Sequence, residues 1–219
     1  MIWVTTIATH GRYLEWAEAM RAPLEAAGYG FHLERELSMP ARRSARGTTS
    51  LNAKVDAIRN CFRLHGGVDG VYWLDADCEI QNLGFLCKLL VSVPAKQMRV
   101  GRVQCFEESM NWYYDESQKA WMRSNAEAYG VPFGDLVAPA DQLMGFGMYS
   151  VMGMLELWKA MAEDLDRQGL VISDGVVSAL AAKASGIDVV SAWGERDFFS
   201  ALSHESHSNH ADGWKPGVQ

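Results

Sequence analysis

Hydrophobic residues along this chain fall into short apolar runs and into longer segments where apolar positions recur at intervals of three and four. A short apolar run is typical of a buried strand, and the longer spacing is typical of a helix packed on one face. Strands are predicted on this basis at 2–8, 31–37, 70–74, 98–103, 145–151 and 187–191. Helices are predicted at 13–27, 83–91, 155–165 and 174–184, with one more capped by Thr49 or Ser50 and ended by Gly66-Gly67.

The predicted strands and helices alternate along the chain. Such alternation predicts an α/β fold with a mostly parallel central sheet that helices cover on both faces. The run at 70–74 agrees, because strands buried on both faces are almost wholly apolar. In sheets of this kind ligands bind beyond the carboxyl ends of the strands. We therefore expect the functional site where the strands at 2–8 and 70–74 end.

Composition and charge narrow the class of protein. The chain has 219 residues, of which 48% are hydrophobic and 21% charged, as is ordinary for one globular domain. The formal net charge of −7 argues against a nucleic-acid partner bound through a broad basic surface. An acidic protein can still bind a nucleoside diphosphate locally, if a cation and a few basic residues meet at one site.

The cysteines and the first residues predict where the protein works. Cys61, Cys78, Cys87 and Cys105 show no C-x-x-C spacing, which weighs against a zinc ribbon or a dithiol redox motif. The start of the chain has no basic region followed by a long apolar one, and no segment approaches the roughly 18 uninterrupted apolar residues of a spanning helix. We expect reduced thiols, no membrane span and a cytoplasmic location.

The strand predicted at 70–74 leads directly into two carboxylates, Asp75 and Asp77. Residues i and i+2 of an extended chain point to the same side, so these side chains can converge just past the end of the strand. Like charges that close repel each other, and a hard cation such as Mn²⁺ or Mg²⁺ relieves the repulsion by accepting both. This pattern predicts a divalent metal site, and its plainer interpretation is an acidic turn after a strand.

The end of the chain is rich in histidine. His204, His207 and His210 follow one another at intervals of three residues. Imidazole is a common metal ligand, and the first hypothesis is that one of these histidines completes the site of Asp75 and Asp77. A separate histidine-rich metal site and a polar, poorly ordered terminus are the alternatives.

Four separated segments carry a family resemblance. They are Thr6-Ile7-Ala8-Thr9-His10-Gly11-Arg12-Tyr13, Asn52-Ala53-Lys54, Leu74-Asp75-Ala76-Asp77 and His210-Ala211-Asp212-Gly213-Trp214-Lys215-Pro216. In this order they resemble the motifs of glycosyltransferase family 8, the GT-A group that contains glycogenin and galactinol synthase. The resemblance spans nearly the whole chain. It implies a GT-A (Rossmann-like) three-layer sandwich over 1–219, with 203–219 as a tail that binds metal and diphosphate.

The resemblance also implies an activity and a role for each segment. The activity is a metal-dependent transfer of a hexose from a nucleotide sugar, with UDP-sugar as the donor, Mn²⁺ or Mg²⁺ as the cofactor and retention of configuration. The implied donor-binding residues are Thr6, Ala8, Thr9, Tyr13, Lys54, Asp75, Ala76, Asp77, Gly213 and Lys215. The implied metal ligands are Asp75, Asp77 and either His210 or His207. Tyr13 would stack on uracil, although it could equally be a core aromatic, and Lys54 could be a solvated helix lysine.

The chain departs from the family pattern at several places. The closing motif is one residue short between Gly213 and Lys215, which leaves the identity of the histidine ligand open. The family's Asn-Ser-Gly segment has its glycine but not its amide in 144–147. Its Asp-Gln pair is matched by Asp174-Gly175, which keeps only the acid, and Asp141 is a rival for the same catalytic role. Asp174 could also be a simple N-cap of the helix that follows.

Four aromatic residues are the candidates for an acceptor-binding surface. Aromatic faces bind sugar C–H edges well, and four aromatic residues could form a sugar-stacking surface, a subunit surface or part of the core. These residues are Trp112, Tyr113, Tyr114 and Trp121. The expected partners are a nucleotide sugar, a small-molecule or glycan acceptor and, if the surface pairs with itself, a second copy of the chain. The rival functions are a nucleotide-sugar-binding module without catalysis and a D-x-D phosphohydrolase of the haloacid dehalogenase type.

Overall fold

The computed structural model describes residues 1–8, 11–35, 51–66, 68–101, 103–105, 114–139, 142–147 and 151–204. The strands in these ranges are β1 (Ile2–Ile7), β2 (Gly30–Glu34), β3 (Gly70–Leu74), β4 (Cys78–Ile80), β5 (Gln97–Val100), β6 (Val103–Cys105), β7 (Val137–Pro139), β8 (Leu143–Phe146), β9 (Asp188–Ser191) and β10 (Leu202–His204). The helices are α1 (Gly11–Ala26), α2 (Leu51–His65), α3 (Leu83–Leu89), α4 (Glu116–Ala128), α5 (Val151–Gln168), α6 (Asp174–Ala184) and α7 (Glu195–Ala201). Each helix described is too short or too polar to serve as a transmembrane segment.

Six strands form the central sheet, in the order β2-β1-β3-β8-β5-β9. β1 pairs in parallel with both β2 and β3, and β5 pairs in parallel with β9. β8 is antiparallel to its two neighbours, β3 and β5. The prediction of a mostly parallel sheet is confirmed. The reversed strand also has a consequence for the site, because β8 begins at the edge where β1 and β3 end.

The side chains of β3 alternate between two hydrophobic cores, one on each face of the sheet. Val71 and Trp73 belong to the core under α2, α4, α5 and α6. Tyr72 and Leu74 belong to the core under α1, α3 and α7. Successive side chains of a strand point to opposite faces, so a wholly buried strand must be covered on both sides. The predicted three-layer α/β sandwich is therefore confirmed.

Two of the predicted strands have other bounds in the structure. The strand predicted at 98–103 ends at Val100, and β6 pairs instead with β7 in a small separate sheet. The strand predicted at 145–151 lies earlier, and Val151 already begins α5. In both places apolar residues stand on each side of the real boundary, and apolar residues without clear periodicity do not separate a strand from a bend or a helix.

Gly145 lies in β8 where the chain packs most closely against β3. A Cβ atom at this position would lie 2.6 Å from Cε1 of Tyr72. Tyr72 is fully buried, and its hydroxyl donates to the carbonyl oxygen of Val91 at 2.8 Å, so its ring is held in place. Glycine is therefore required here by close approach of a neighbouring side chain rather than by a turn.

We expect Gly145→Ala to lower the free energy of unfolding by about 1 to 3 kcal/mol, because the new methyl group overpacks a closed core. The matched control is Gly153→Ala in α5, an exposed position with no atom within 4 Å of the added Cβ. That substitution should raise stability by about 0.5 to 1 kcal/mol through helix propensity. Urea denaturation of both variants measures the effects, and equal effects would contradict the packing described here.

Two partly buried histidines lie at the edge of the sheet formed by β2. His65 stacks on Trp3 with ring centroids 3.4 Å apart, and its Nε2 atom lies 3.4 Å from Nδ1 of His32. Burial lowers the pKa of His32, although the carboxylate of Glu34 acts in the opposite direction. Burial, followed by the neighbouring His32, lowers the pKa of His65. Each imidazole therefore binds a proton less readily in the folded chain than in the unfolded one.

Stability should consequently fall as the pH drops below the ordinary histidine value of 6.5. In that range the unfolded chain binds more protons than the folded chain. The free energy of unfolding therefore increases as the pH rises and decreases on acidification. His65→Phe keeps the stacking on Trp3 and removes one titrating group. Urea midpoints at about pH 7.5 and about pH 5.5 should differ less for this variant than for the wild type. Equal losses in the two proteins would show that His65 does not contribute.

Candidate active site

Asp75 stands at the point where β3 leaves the sheet. Its backbone N–H donates to the carbonyl oxygen of Gln142 at 2.9 Å, just before β8 begins. The N–H of Cys78 donates to the carbonyl oxygen of Asp75 at 3.1 Å, which closes a tight turn through Ala76 and Asp77. The expected extended geometry of the two acids is therefore wrong. The chain turns at once into β4, and a turn rather than a straight strand sets the positions of the two carboxylates.

Lys54 joins two carboxylates that are far apart in the sequence. It extends from the first turn of α2, and its Nζ atom lies 3.1 Å from Oδ1 of Asp75 and 2.9 Å from Oδ2 of Asp174. The three side chains are only 14%, 21% and 17% exposed in that order. A solvated helix lysine does not fit these contacts. The structure thus brings together three of the residues that the sequence predicted for one site.

Trp73 supplies a contact that the sequence reasoning missed. Its indole Nε1–H donates to Oδ1 of Asp75 at 2.7 Å. The ammonium of Lys54 also lies over the indole, with Nζ 5.2 Å from the ring centroid. Trp73 and Asp75 are related by i and i+2, so the same-side rule for extended chains could have paired them.

Asp174 begins α6 but is not its N-cap. That position belongs to Ser173, whose hydroxyl makes no capping hydrogen bond. The hydroxyl of Tyr114 donates to Ser173 Oγ at 3.1 Å and accepts from the Ser173 N–H at 3.4 Å. Tyr114 therefore anchors the start of α6 beside Asp174. A carboxylate in the first turn of a helix is also favoured by the helix dipole.

The acceptor surface proposed from the sequence also includes Trp112, Tyr113 and Trp121. Trp121 is buried in the core of α4, and its Nε1–H donates to Oδ2 of Asp164 at 2.7 Å. Its assignment to a sugar-stacking or subunit surface is therefore wrong, because the ring is closed off from solvent. Trp112 and Tyr113 lie outside the described residues.

The two acids of the turn act on the same buried thiol. Burial is the main cause that raises the pKa of Cys78 well above its ordinary value, and the negative charges of Asp75 and then Asp77 raise it further. The ammonium of Lys54 opposes them. Asp77 is itself buried. Both carboxylates are thus close enough to act on the Cys78 thiol, so the turn holds the two acids together.

The last described strand brings the end of the chain to the same turn. β10 pairs antiparallel with β4, and His204 stands opposite Cys78 in the register. The first two residues of the predicted tail 203–219 therefore lie in β10, and His204 stands opposite the residue that follows Asp77. Neither short strand was predicted, since three residues carry too little pattern. His207, His210, Gly213 and Lys215 lie outside the described residues, as do Thr9 and Asp141.

Comparison with protein-family models finds no match for this chain, and comparison with the sequences of curated proteins finds none either. Solved structures do match. One is the galactosyltransferase LgtC in complex with donor and acceptor sugar analogues, with a TM-score of 0.50, 12% identity, and coverage of 87% of this chain and 73% of that one. The protein has the GT-A fold. The narrower resemblance to family 8 stays a prediction.

Two further solved structures are similar to this chain at lower scores. A glycosyltransferase involved in glycosylation of the major capsid protein of PBCV-1 has a TM-score of 0.49 and 9% identity, over 74% of this chain and 67% of that one. A mutant of Drosophila beta-1,4-galactosyltransferase 7, in complex with manganese, UDP-Gal and xylobiose, has a TM-score of 0.46 and 11% identity, over 100% and 75%.

The first strand of the GT-A fold here ends beside the acidic turn. β1 and β3 are parallel, with Thr5 opposite Trp73, so the residues that follow these two strands reach the same edge of the sheet. Thr6 is fully buried, and its hydroxyl has no hydrogen-bond partner among the residues that the structure describes. Ala8 is buried as well. These two predicted donor-binding residues therefore lie at the edge where the site was expected.

Tyr13, Gly145 in β8 and Gly147 just after that strand fit packing roles. Tyr13 is partly buried and meets the ring of Trp16 edge to face, with centroids 5.5 Å apart. Gly145 lies inside the buried strand β8, and a Cβ on Gly147 would meet the carbonyl oxygen of Pro94 at 2.3 Å. The segment 144–147 was matched above to a motif of the resembling family. In the structure its Gly145 lies inside the sheet, and its Gly147 lies close to the backbone of Pro94.

The donor atoms suit a hard divalent cation, although they do not complete a site. Asp75 and Asp77 offer carboxylate oxygens, which Mg²⁺ and Mn²⁺ prefer. Within the described ranges, no three His, Cys, Asp or Glu side chains are grouped to hold a metal ion. A cation at this turn would therefore need further ligands from water, from a substrate or from residues outside the described ranges.

Proposed function

We propose that this protein is a metal-dependent glycosyltransferase that moves a hexose from a nucleotide sugar, a UDP-hexose, to an acceptor with retention of configuration. The observation that carries the proposal is the Lys54 ammonium held between Asp75 and Asp174 at the carboxyl edge of the sheet. A GT-A fold with acids and a lysine at this edge suits a diphosphate, because the leaving group gains negative charge that cationic groups must neutralise.

Separate groups of residues would bind the metal, the nucleoside, the diphosphate and the transferred sugar. Asp75 and Asp77, with His210 or His207, would hold the Mn²⁺ or Mg²⁺, which supplies Lewis-acid stabilisation of the leaving diphosphate. Lys54 would turn from its carboxylate partners toward the donor. Asp174 or Asp141 would face the sugar that is transferred. The nucleoside would lie against Thr6, Ala8, Thr9 and Tyr13, and the diphosphate against Gly213 and Lys215 of the tail 203–219.

The register of the last strand supports a tail that works at the metal site. His204 stands opposite Cys78, the residue after Asp77, so the described part of the chain ends next to the acidic turn. A histidine within a few residues of that point has a short distance to cover. We propose on this ground that the tail and the acidic turn share one site within a single domain. The cytoplasmic location and pairing with a second copy stay predictions.

Incubation of the purified protein with a panel of UDP-hexoses and Mn²⁺ tests the proposal. We expect release of UDP, by transfer or by slow hydrolysis of the donor, and we expect EDTA to stop it. Tight UDP binding without any turnover would instead support the binding module. This second candidate function, a nucleotide-sugar-binding module without catalysis, is favoured by the segment 144–147. That segment lacks the amide side chain of the family motif, and its Gly145 is packed inside β8. Phosphate release from phosphomonoesters without nucleotide would contradict the proposed transferase.

A further inference from the structure

Trp73 is built into the core and still contacts the acidic turn. It is 2% exposed, and it packs in the hydrophobic core between the sheet and α2. Its Nε1–H donates to Oδ1 of Asp75 at 2.7 Å, a short and well-formed hydrogen bond. A side chain packed on all sides does not change rotamer easily, so the donor is fixed in space.

The same oxygen of Asp75 accepts from two donors of different kinds. Lys54 reaches Oδ1 with its ammonium at 3.1 Å, and Trp73 reaches it with an uncharged N–H. The face of the Trp73 ring also attracts the ammonium, which lies 5.2 Å from its centroid. Trp73 thus helps to set the position of the carboxylate and of the lysine beside it.

The two donors should respond differently to a cation. A divalent ion bound by Asp75 repels the ammonium of Lys54, because both carry positive charge. The indole N–H has no net charge, so this repulsion does not drive it from Oδ1. The Trp73 contact can therefore persist in the metal-bound protein, whereas the lysine contact is the one that gives way.

We propose that Trp73 is a positioning residue for the metal site, which holds Oδ1 of Asp75 and thereby fixes the plane of the carboxylate for a divalent cation. The inference rests on the proposed function, since it takes Asp75 to be a metal ligand. Hydrogen bonds to ligating carboxylates orient them, and loss of such a partner typically lowers metal affinity about 10- to 100-fold. The sequence pattern alone assigns Trp73 to a buried strand and nothing more.

Trp73→Phe tests this role, because it keeps an aromatic ring in the core and removes the N–H donor. The matched control is Trp158→Phe in the same core. Trp158 is fully buried, and its Nε1 has no hydrogen-bond partner among the residues described. Calorimetric titration with Mn²⁺ alone should give an affinity about 10- to 100-fold weaker for Trp73→Phe and an unchanged affinity for Trp158→Phe. A loss of core packing by itself would weaken both variants.

A second measurement needs no substitution at Trp73. The chain has 8 tryptophans, whose indole N–H groups give separate signals in a ¹⁵N correlation spectrum. The signal of Trp73 should be the one most displaced in Asp75→Asn, because its N–H donates to Asp75, and it should move on titration with diamagnetic Mg²⁺. This readout remains available if Trp73→Phe does not fold.

The outcomes separate the inference from the function on which it rests. A wild-type protein that binds neither Mn²⁺ nor Mg²⁺ overturns the proposed metal site, and the inference with it. A wild-type protein that binds the metal, together with a Trp73→Phe variant of equal affinity, overturns the inference alone. An indole signal that stays fixed while Mg²⁺ binds does the same.

Discussion

Asp75→Asn is expected to abolish the stabilisation that UDP and Mn²⁺ together give to the folded protein. A ligand at about 100 times its Kd adds about 2.7 kcal/mol to the free energy of unfolding, which raises the Tm of a chain of this size by about 5 to 10 °C. The variant should lose this shift, because an amide is a much weaker partner for a hard cation than a carboxylate. Asparagine keeps an acceptor oxygen for Trp73, so the turn itself should survive.

The control for this experiment is Asp188→Asn. Asp188 is an exposed acid at the start of β9, which β8 and β5 separate from β3 in the sheet. Its substitution by Asn changes the net charge by the same amount as Asp75→Asn. Its thermal shift with UDP and Mn²⁺ should equal that of the wild type. An undiminished shift in Asp75→Asn would show that the Asp75 carboxylate is not part of the nucleotide site.

Lys54→Met is expected to separate stability from metal affinity. Without the ammonium, Asp75 and Asp174 lose the cation that lies 3.1 Å and 2.9 Å from their oxygens. Breaking a partly buried ion pair of this kind should lower the stability of the metal-free protein by about 2 kcal/mol. The affinity for Mn²⁺ should nevertheless rise, because a competing positive charge has been removed from Asp75. A relief of about 1.4 kcal/mol corresponds to a ten-fold gain.

The two effects of Lys54→Met are measured by urea denaturation without metal and by calorimetric titration with Mn²⁺. Donor turnover should fall despite the tighter metal, since the lysine is proposed to contact the donor. Lys96→Met, at an exposed position before β5, is the matched control and should change none of these quantities. If Lys54→Met bound Mn²⁺ more weakly and were also less stable, the lysine would have only a structural role.

The sequence was sufficient to predict the layers of this fold and the position of Asp75 at the end of a buried strand. The run at 70–74 predicted a strand buried on both faces, because it is almost wholly apolar and has no polar face for solvent. The acids that follow this strand predicted a site at the carboxyl ends of the strands, because β1 and β3 are parallel neighbours and end side by side. These are local or topological rules, and they need no knowledge of individual contacts.

Other features depend on contacts that no local pattern encodes. An apolar strand has no direction in its sequence, so the reversal of β8 and the approach of Gln142 to Asp75 could not be foreseen. The contact of Lys54 with Asp174 joins distant segments, because α2 and α6 both pack against α5. The three-residue strands β4 and β10 leave almost no signal in the sequence, so the pairing that puts His204 opposite Cys78 could not be predicted.

Calorimetric titration of the wild-type protein with UDP, once with Mn²⁺ and once with EDTA, tests the central claim most directly. The claim is that a divalent cation at the acidic turn joins the protein to a nucleoside diphosphate. We predict clear UDP binding in Mn²⁺ and a loss of most of that binding in EDTA. Equal affinity for UDP in the two titrations would contradict the claim.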